Sequence, residues 1–173
     1  MITRKATRTL YLLSLCLLTM ISCSKDSTPK DPVDTLPPIT QTGEDTFACL
    51  INGKPFFSSK GERGANYSFG TLTIFGFNRS DTGIILTGLE IVGGVTEGEY
   101  SLGLRSSGKY SALYLIRGGI DLRTETLNEH LGIITITRFD LEEFIVSGTF
   151  EFSVKDNDGN TLNFTDGRFD LRF

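Results

Sequence analysis

The chain has 173 residues, with 17 Lys and Arg against 21 Asp and Glu, 13 Phe, 19 Gly and no Trp. The first 22 residues hold Arg4, Lys5 and Arg8 and no acid, so the remainder carries 14 basic against 21 acidic residues, a balance of −7. Phosphate recognition needs clustered Lys and Arg, and an acidic body without a basic stripe excludes nucleic acid as a partner.

Met1 to Thr9 is a cationic region, and Leu10 to Ile21 is a 12-residue apolar stretch. A helix needs about 20 residues to cross a bilayer, so this run is too short to span. It has the size of the apolar region of a secretory signal peptide, predicted over residues 1–22. The stretch Met20-Ile21-Ser22-Cys23 resembles the lipobox of bacterial lipoproteins. That resemblance implies acylation of the Cys23 thiol, cleavage before it, and the membrane as a partner through the lipid anchor. Several acyl chains, at about 0.8 kcal/mol per buried CH₂, hold a protein firmly. Cys16 is the weaker candidate, since Leu15 precedes it and more apolar chain follows. Cys49 then stands alone in the body, without a partner for an intramolecular disulfide. In "TFACLI" it reads as a buried small apolar residue. Ser24-Lys25-Asp26 is similar in part to the export signal of Bacteroidota surface lipoproteins, which implies an outer-membrane protein exposed at the cell surface.

Residues 23–45 contain Pro29, Pro32, Pro37 and Pro38 and no apolar periodicity. A segment of this kind cannot bury enough surface to offset its ordering entropy, and it reads as a disordered tether. At ~3.1 Å per residue in polyproline II form, the stretch from Ser24 to Asp45 reaches roughly 70 Å.

Residues 46–173 read as an all-β domain, an antiparallel β-sandwich of roughly 8–10 strands. Phe150, Phe152 and Val154 alternate with Thr149, Glu151 and Ser153; Phe169, Leu171 and Phe173 alternate with Arg168, Asp170 and Arg172. One dry and one wet face per strand is the mark of an antiparallel sheet. Asn52-Gly53 predicts a tight hairpin turn. Strands are expected near 46–51, 54–58, 64–69, 71–78, 84–92, 99–104, 109–117, 131–138, 143–155 and 161–173, with "IILTGLEIV" and "SALYLIRG" central. Residues 118–132 read as a long loop. A transmembrane barrel is disfavoured, because "EYSLGLRSSGKYS" and "ANYSFGTLT" lack a lipid-facing apolar side.

The segments Gly132–Asp140, Val146–Phe152 and Thr165–Asp170, and more loosely "CLINGKPF" near the start, resemble an uncharacterised family of small Bacteroidota lipoproteins. The resemblance implies a Gram-negative envelope lipoprotein and transfers no activity.

Motifs that carry chemistry are sparse. "KDNDGNT" has acid density, but counting from Asp156 puts Gly159 at position 4 rather than 6 and Gly167 at 12, where an EF-hand needs Glu, leaving Asp156, Asp158 and Asn160 as a weak calcium candidate. Glu142 and Glu143 are neighbours on opposite sides of an extended chain, so they cannot flank one glycosidic bond. His130 has no metal-binding spacing around it, and no phosphate loop or dinucleotide fingerprint exists, so no cofactor is expected. Tyr67, Tyr100, Tyr110 and Tyr114, with Arg117, Arg105 and Arg123 as donors, are the candidates for stacking on a glycan. The leading expectation is a non-enzymatic envelope binding module for a glycan or protein. A structural or assembly subunit comes second, and a hydrolase third.

Overall fold

A computed structural model describes residues 31–80, 83–103, 110–117, 122–125, 132–155 and 158–173. Eleven strands are described: β1 (Thr46–Ile51), β2 (Lys54–Phe57), β3 (Arg63–Ser68), β4 (Thr71–Ser80), β5 (Gly83–Ile91), β6 (Gly98–Leu102), β7 (Tyr110–Arg117), β8 (Leu122–Glu125), β9 (Gly132–Asp140), β10 (Ile145–Lys155) and β11 (Thr161–Arg172). They form a six-stranded sheet in the order β2-β1-β11-β10-β9-β6 and a five-stranded sheet in the order β3-β4-β5-β7-β8. The described pairings are antiparallel. The all-β sandwich expected from period-two alternation is the observed architecture.

The alternation explains the core. Phe150, Phe152, Val154, Phe164, Phe169 and Leu171 are buried from β10 and β11, and meet Leu72, Ile74, Leu89, Ile91 and Ala112 of the second sheet. Phenylalanines fill the interior in layers: Phe152 stacks on Phe164 at 4.2 Å between centroids, and Phe47 on Phe150 at 5.3 Å. The two sheets meet closely where Gly76 of β4 faces Phe47 of β1. A Cβ at Gly76 would lie 2.4 Å from the Phe47 ring, so the ring occupies the place of a side chain. Asn52 and Gly53, at φ 49° and 74°, turn β1 into β2 as the dipeptide predicts. "IILTGLEIV" and "SALYLIRG" both lie inside their sheet, since β5 and β7 each have two neighbours.

Two expectations are corrected. Residues 118–132 are not wholly a loop: Leu122–Glu125 forms β8, paired with Leu113–Ile116 of β7. Four residues with two charges give too weak a pattern to announce a strand, and β8 is defined by the neighbour it pairs with. The second correction concerns the tether. The described body begins at Asp31, not at residue 46. Pro32–Thr35 is a 3₁₀ turn whose N-cap, Asp31, accepts from the Val33 N–H, and Leu36 is buried.

Cys49 is 0 % exposed, and burial pushes its thiol up to about 12. The thiolate is the reactive form, so Cys49 should resist alkylation at neutral pH in the native protein and react quickly in denaturant. Mass spectrometry of iodoacetamide-treated protein checks this; rapid native labelling would show that the site is open.

Candidate functional site

Strand β1 is buried on both sides, which a strand at the wet face of a sandwich should not be. Phe47 and Cys49 face the core, whereas Ala48 and Leu50 pack outward against Leu36 and Val33. Residues 31–45 therefore cross the outer face of the six-stranded sheet as a strap. The strap has no strand partner there, so its backbone groups need side chains to satisfy them.

One carboxylate meets three of the N–H groups. Asp170 of β11, 1 % exposed, accepts from Thr40 Oγ1 at 2.7 Å, Thr42 N at 3.0 Å, Gly43 N at 2.8 Å, Glu44 N at 3.1 Å and the buried Ser147 Oγ at 2.6 Å. Strap carbonyls are met by arginines: Arg168 Nη1 donates to Pro37 O at 3.2 Å, Arg138 Nη1 to Gln41 O at 2.6 Å and Arg172 Nη2 to Thr42 O at 3.2 Å. Burial by itself pushes the Asp170 carboxyl up. The donors from Ser147, Thr40, Glu44 and Gly43 outweigh it and bring it down to about 2.

Beside the strap the same sheet face carries a shallow groove of about 390 Å³. Its walls are Ile39 from the strap, Glu99 of β6, Ile133 and Thr135 of β9, Thr149 and Glu151 of β10, and Asp166 and Arg168 of β11. A bulge shapes the β11 side. The register with β1 and β10 shifts around Thr165–Gly167, where Asp166 takes φ 54°. The Phe150 ring lies where a Cβ of Gly167 would be, 2.5 Å away, so only glycine lets the strand lie flat there.

The residues singled out in the sequence are distributed differently. Tyr67 packs edge-on against Phe139, with centroids 5.0 Å apart, and Phe173. Tyr100 packs on the core from the opposite sheet, and its hydroxyl takes the Thr96 N–H at 2.8 Å and donates to Thr96 O at 2.7 Å. The two rings thus pack on the core from opposite sheets. Tyr110, Tyr114 and Arg117 lie on β7 in register with Ile91, Thr87 and Ile84 of β5, and their side chains lie outside the described residues. So do Cys23, Arg105, His130, Asp156 and the side chain of Arg123. Asp158 and Asn160 are exposed in the β10–β11 turn, and among the described residues no group of three His, Cys, Asp or Glu is placed to hold a metal ion. Asp140, Glu142 and Glu143 form the charged turn expected of them. Asp140 Oδ1 accepts from both following N–H groups at 2.9 Å, and Arg138 bonds Asp140 and Glu143 at 2.7 Å each. The Glu143 N–H and then Arg138 hold the Asp140 carboxyl below its ordinary value. The groove residues escaped notice because Thr135, Thr149, Glu151 and Arg168 read as ordinary wet-face positions, and Ile39 as spacer.

The class defined by these features is an all-β sandwich with a side-chain-anchored N-terminal strap. Residues 45–170 match the family described as a domain of unknown function (DUF6252), and the chain belongs to it. The matched range opens where the strap ends and closes on Asp170 itself. No curated protein and no solved structure matches the chain.

The depressed Asp170 value links stability to pH. The folded value, about 2, lies below the ordinary 3.8, so the contribution is full above pH ~5 and is lost as pH falls toward 2; it amounts to about 2 kcal/mol. Asp170→Asn should cost about 2–4 kcal/mol at pH 7, because buried N–H donors lose their charged acceptor. It should also flatten the acid limb of the stability curve. Urea melts of both proteins from pH 7 to pH 2.5 measure this, and parallel acid limbs would remove Asp170 from the account.

Proposed function

We propose that this chain is an outer-membrane lipoprotein, acylated at Cys23 and displayed at the cell surface, whose sandwich is a non-enzymatic module that binds a glycan. The observation that carries the binding reading is the groove beside the strap. It combines carboxylates (Glu99, Glu151, Asp166), hydroxyls (Thr135, Thr149) and the Arg168 guanidinium with the apolar Ile39 and Ile133. A sugar ring has the complementary make-up, with hydroxyls around its edge and C–H faces for aliphatic side chains. A few placed polar groups among apolar ones is the usual composition of a small-molecule site. The groove is open, which suits a chain-like ligand lying along the sheet face. The surplus of acid favours neutral or amine-bearing saccharides over anionic ones.

Two groups with displaced pKa values argue for binding over catalysis. Cys49 is held as a thiol in the core, and Asp170 is held as a carboxylate under the strap. A thiol that stays protonated is not a nucleophile near neutral pH, and the Asp170 oxygens are already occupied by five donors.

The anchor reading rests on the leader and on the Ser22-Cys23 junction. The strap shortens the reach expected of the spacer. The chain from Cys23 to Asp31 spans eight residues, at most about 28 Å when fully extended.

Cells fed a clickable palmitate should label the wild-type chain and not Cys23→Ser; equal labelling ends the anchor reading. Proteinase K added to intact cells should digest the domain. Protection in intact cells followed by digestion after lysis would turn it to the periplasm. On a glycan array the wild-type protein should retain neutral or amino sugars, and Thr149→Lys, which fills the groove from a half-buried position on β10, should lose them at unchanged Tm. An array without signal, or one that Thr149→Lys leaves unaltered, removes the groove as the site.

A further inference from the structure

Positive φ at a turn tip belongs to Gly and Asn, because a bulky residue there crowds its own backbone. Two tips of this molecule break the rule with phenylalanine. Phe69, followed by Gly70 between β3 and β4, has φ 50°, and Phe144, closing the β9–β10 turn, has φ 55°. Neither ring is drawn into the core in compensation. Phe69 is fully exposed, Phe144 is 56 % exposed, and Leu141 on the same turn is 55 % exposed. Each tip combines a strained backbone with an apolar ring in water, and Asn would relieve both at once.

The tips belong to one end of the sandwich and share a base. Tyr67, two residues before Phe69, sets its ring against Phe139 and Phe173 at 5.0 and 6.2 Å. Phe173 stacks on Phe139 at 5.6 Å and meets Phe144 at 6.0 Å. The Phe173 N–H donates to Phe144 O at 3.0 Å. An aromatic layer thus braces the Phe144 tip, and Tyr67 of the same layer lies two residues before Phe69. Single exposed apolar residues are ordinary, but strain stored at two exposed aromatic tips points to use.

Three observations choose the occupant. The rings stand out into solvent, a form that enters a soft apolar medium. The link from Cys23 to Asp31, at most about 28 Å, keeps a bilayer within reach of a body of this size. Glu142 and Glu143 lie between Leu141 and Phe144, and the chain after residue 22 carries −7, which disfavours anionic lipid. We infer that Phe69, Leu141 and Phe144 insert into the headgroup–acyl boundary of a zwitterionic bilayer. The choice of a bilayer rests on the anchored reading above; the geometry of the tips does not.

The chain from Ser24 onward keeps every described residue and lacks the acylation site, so it isolates the tips from the anchor. With phosphatidylcholine vesicles it should co-sediment. The protein has no Trp, so Phe144→Trp provides a lone reporter, whose emission should shift to the blue and be quenched by brominated lipid. The double variant Phe69→Asn/Phe144→Asn should lose about tenfold in partitioning per ring, while its Tm holds or rises, because Asn accepts positive φ. Adding phosphatidylglycerol should weaken binding. Failure to co-sediment, equal partitioning of the double variant, or tighter binding to anionic vesicles overturns the proposal. A Tm that falls in the double variant makes the rings structural, and self-association that the double variant abolishes makes a second copy the occupant; either also overturns it. These outcomes are independent of palmitate labelling, so a failed anchor and failed tips are separate results.

Discussion

The carboxylate of Asp170 takes five donors, four of them from a stretch of chain 126 to 130 residues earlier in the sequence. A buried charge with fewer donors would be a burden on the fold. Three of the donors are backbone N–H groups that have no sheet to join, so each side meets the need of the other. The arginines do the same for the strap carbonyls. With both kinds of backbone group satisfied, a proline-rich segment lies flat on a sheet face without becoming a strand. Leu36 and Val33 then cover Ala48 and Leu50, and β1 gains a second buried side.

The rest of that face follows from where the strap stops covering it. Ile39 is more than half exposed and forms the near wall of the groove; beyond it the wet faces of β9, β10 and β11 are open. Arg168 belongs to both regions. It donates to Pro37 O under the strap and to Asp166 O at the bulge, so the position of the strap and the shape of the groove are tied through one side chain. The bulge gives the site its form, and it depends on Asp166 accepting positive φ next to a glycine that leaves room for the Phe150 ring.

Much of this was legible in the sequence. Phe150, Phe152 and Val154, like Phe169 and Leu171, announce their strands because alternation is a local property and burial follows it directly. Asn52-Gly53 announces its turn for the same reason. The strap was not legible, since its order comes from Asp170, Ser147 and three arginines far along the chain, and a window centred on Pro32 or Pro37 contains none of them. Two signs were present. "TFACLI" is apolar on both faces, and Leu36 and Ile39 are out of place in a spacer. Residue type alone suggested stacking for Tyr67, whose surroundings are equally set by distant residues: it shares its strand face with Ala65 and points into the aromatic layer at the end of the sandwich.

The strap also determines how the molecule would bear a pull. Tension entering at Asp31 meets first the Leu36 contact and the Arg168–Pro37 bond, and then the ring of donors around Asp170. These attachments lie one after another along the segment, so they would yield in sequence, each at a modest force. Strand β1, held between β2 and β11, feels nothing until the last of them gives way. Fifteen residues of slack would be paid out before the sandwich itself was loaded, and once tension fell the same residues could seat again on a sheet face that had kept its shape. Asp170 thereby makes the strap a mechanical fuse in series with the fold.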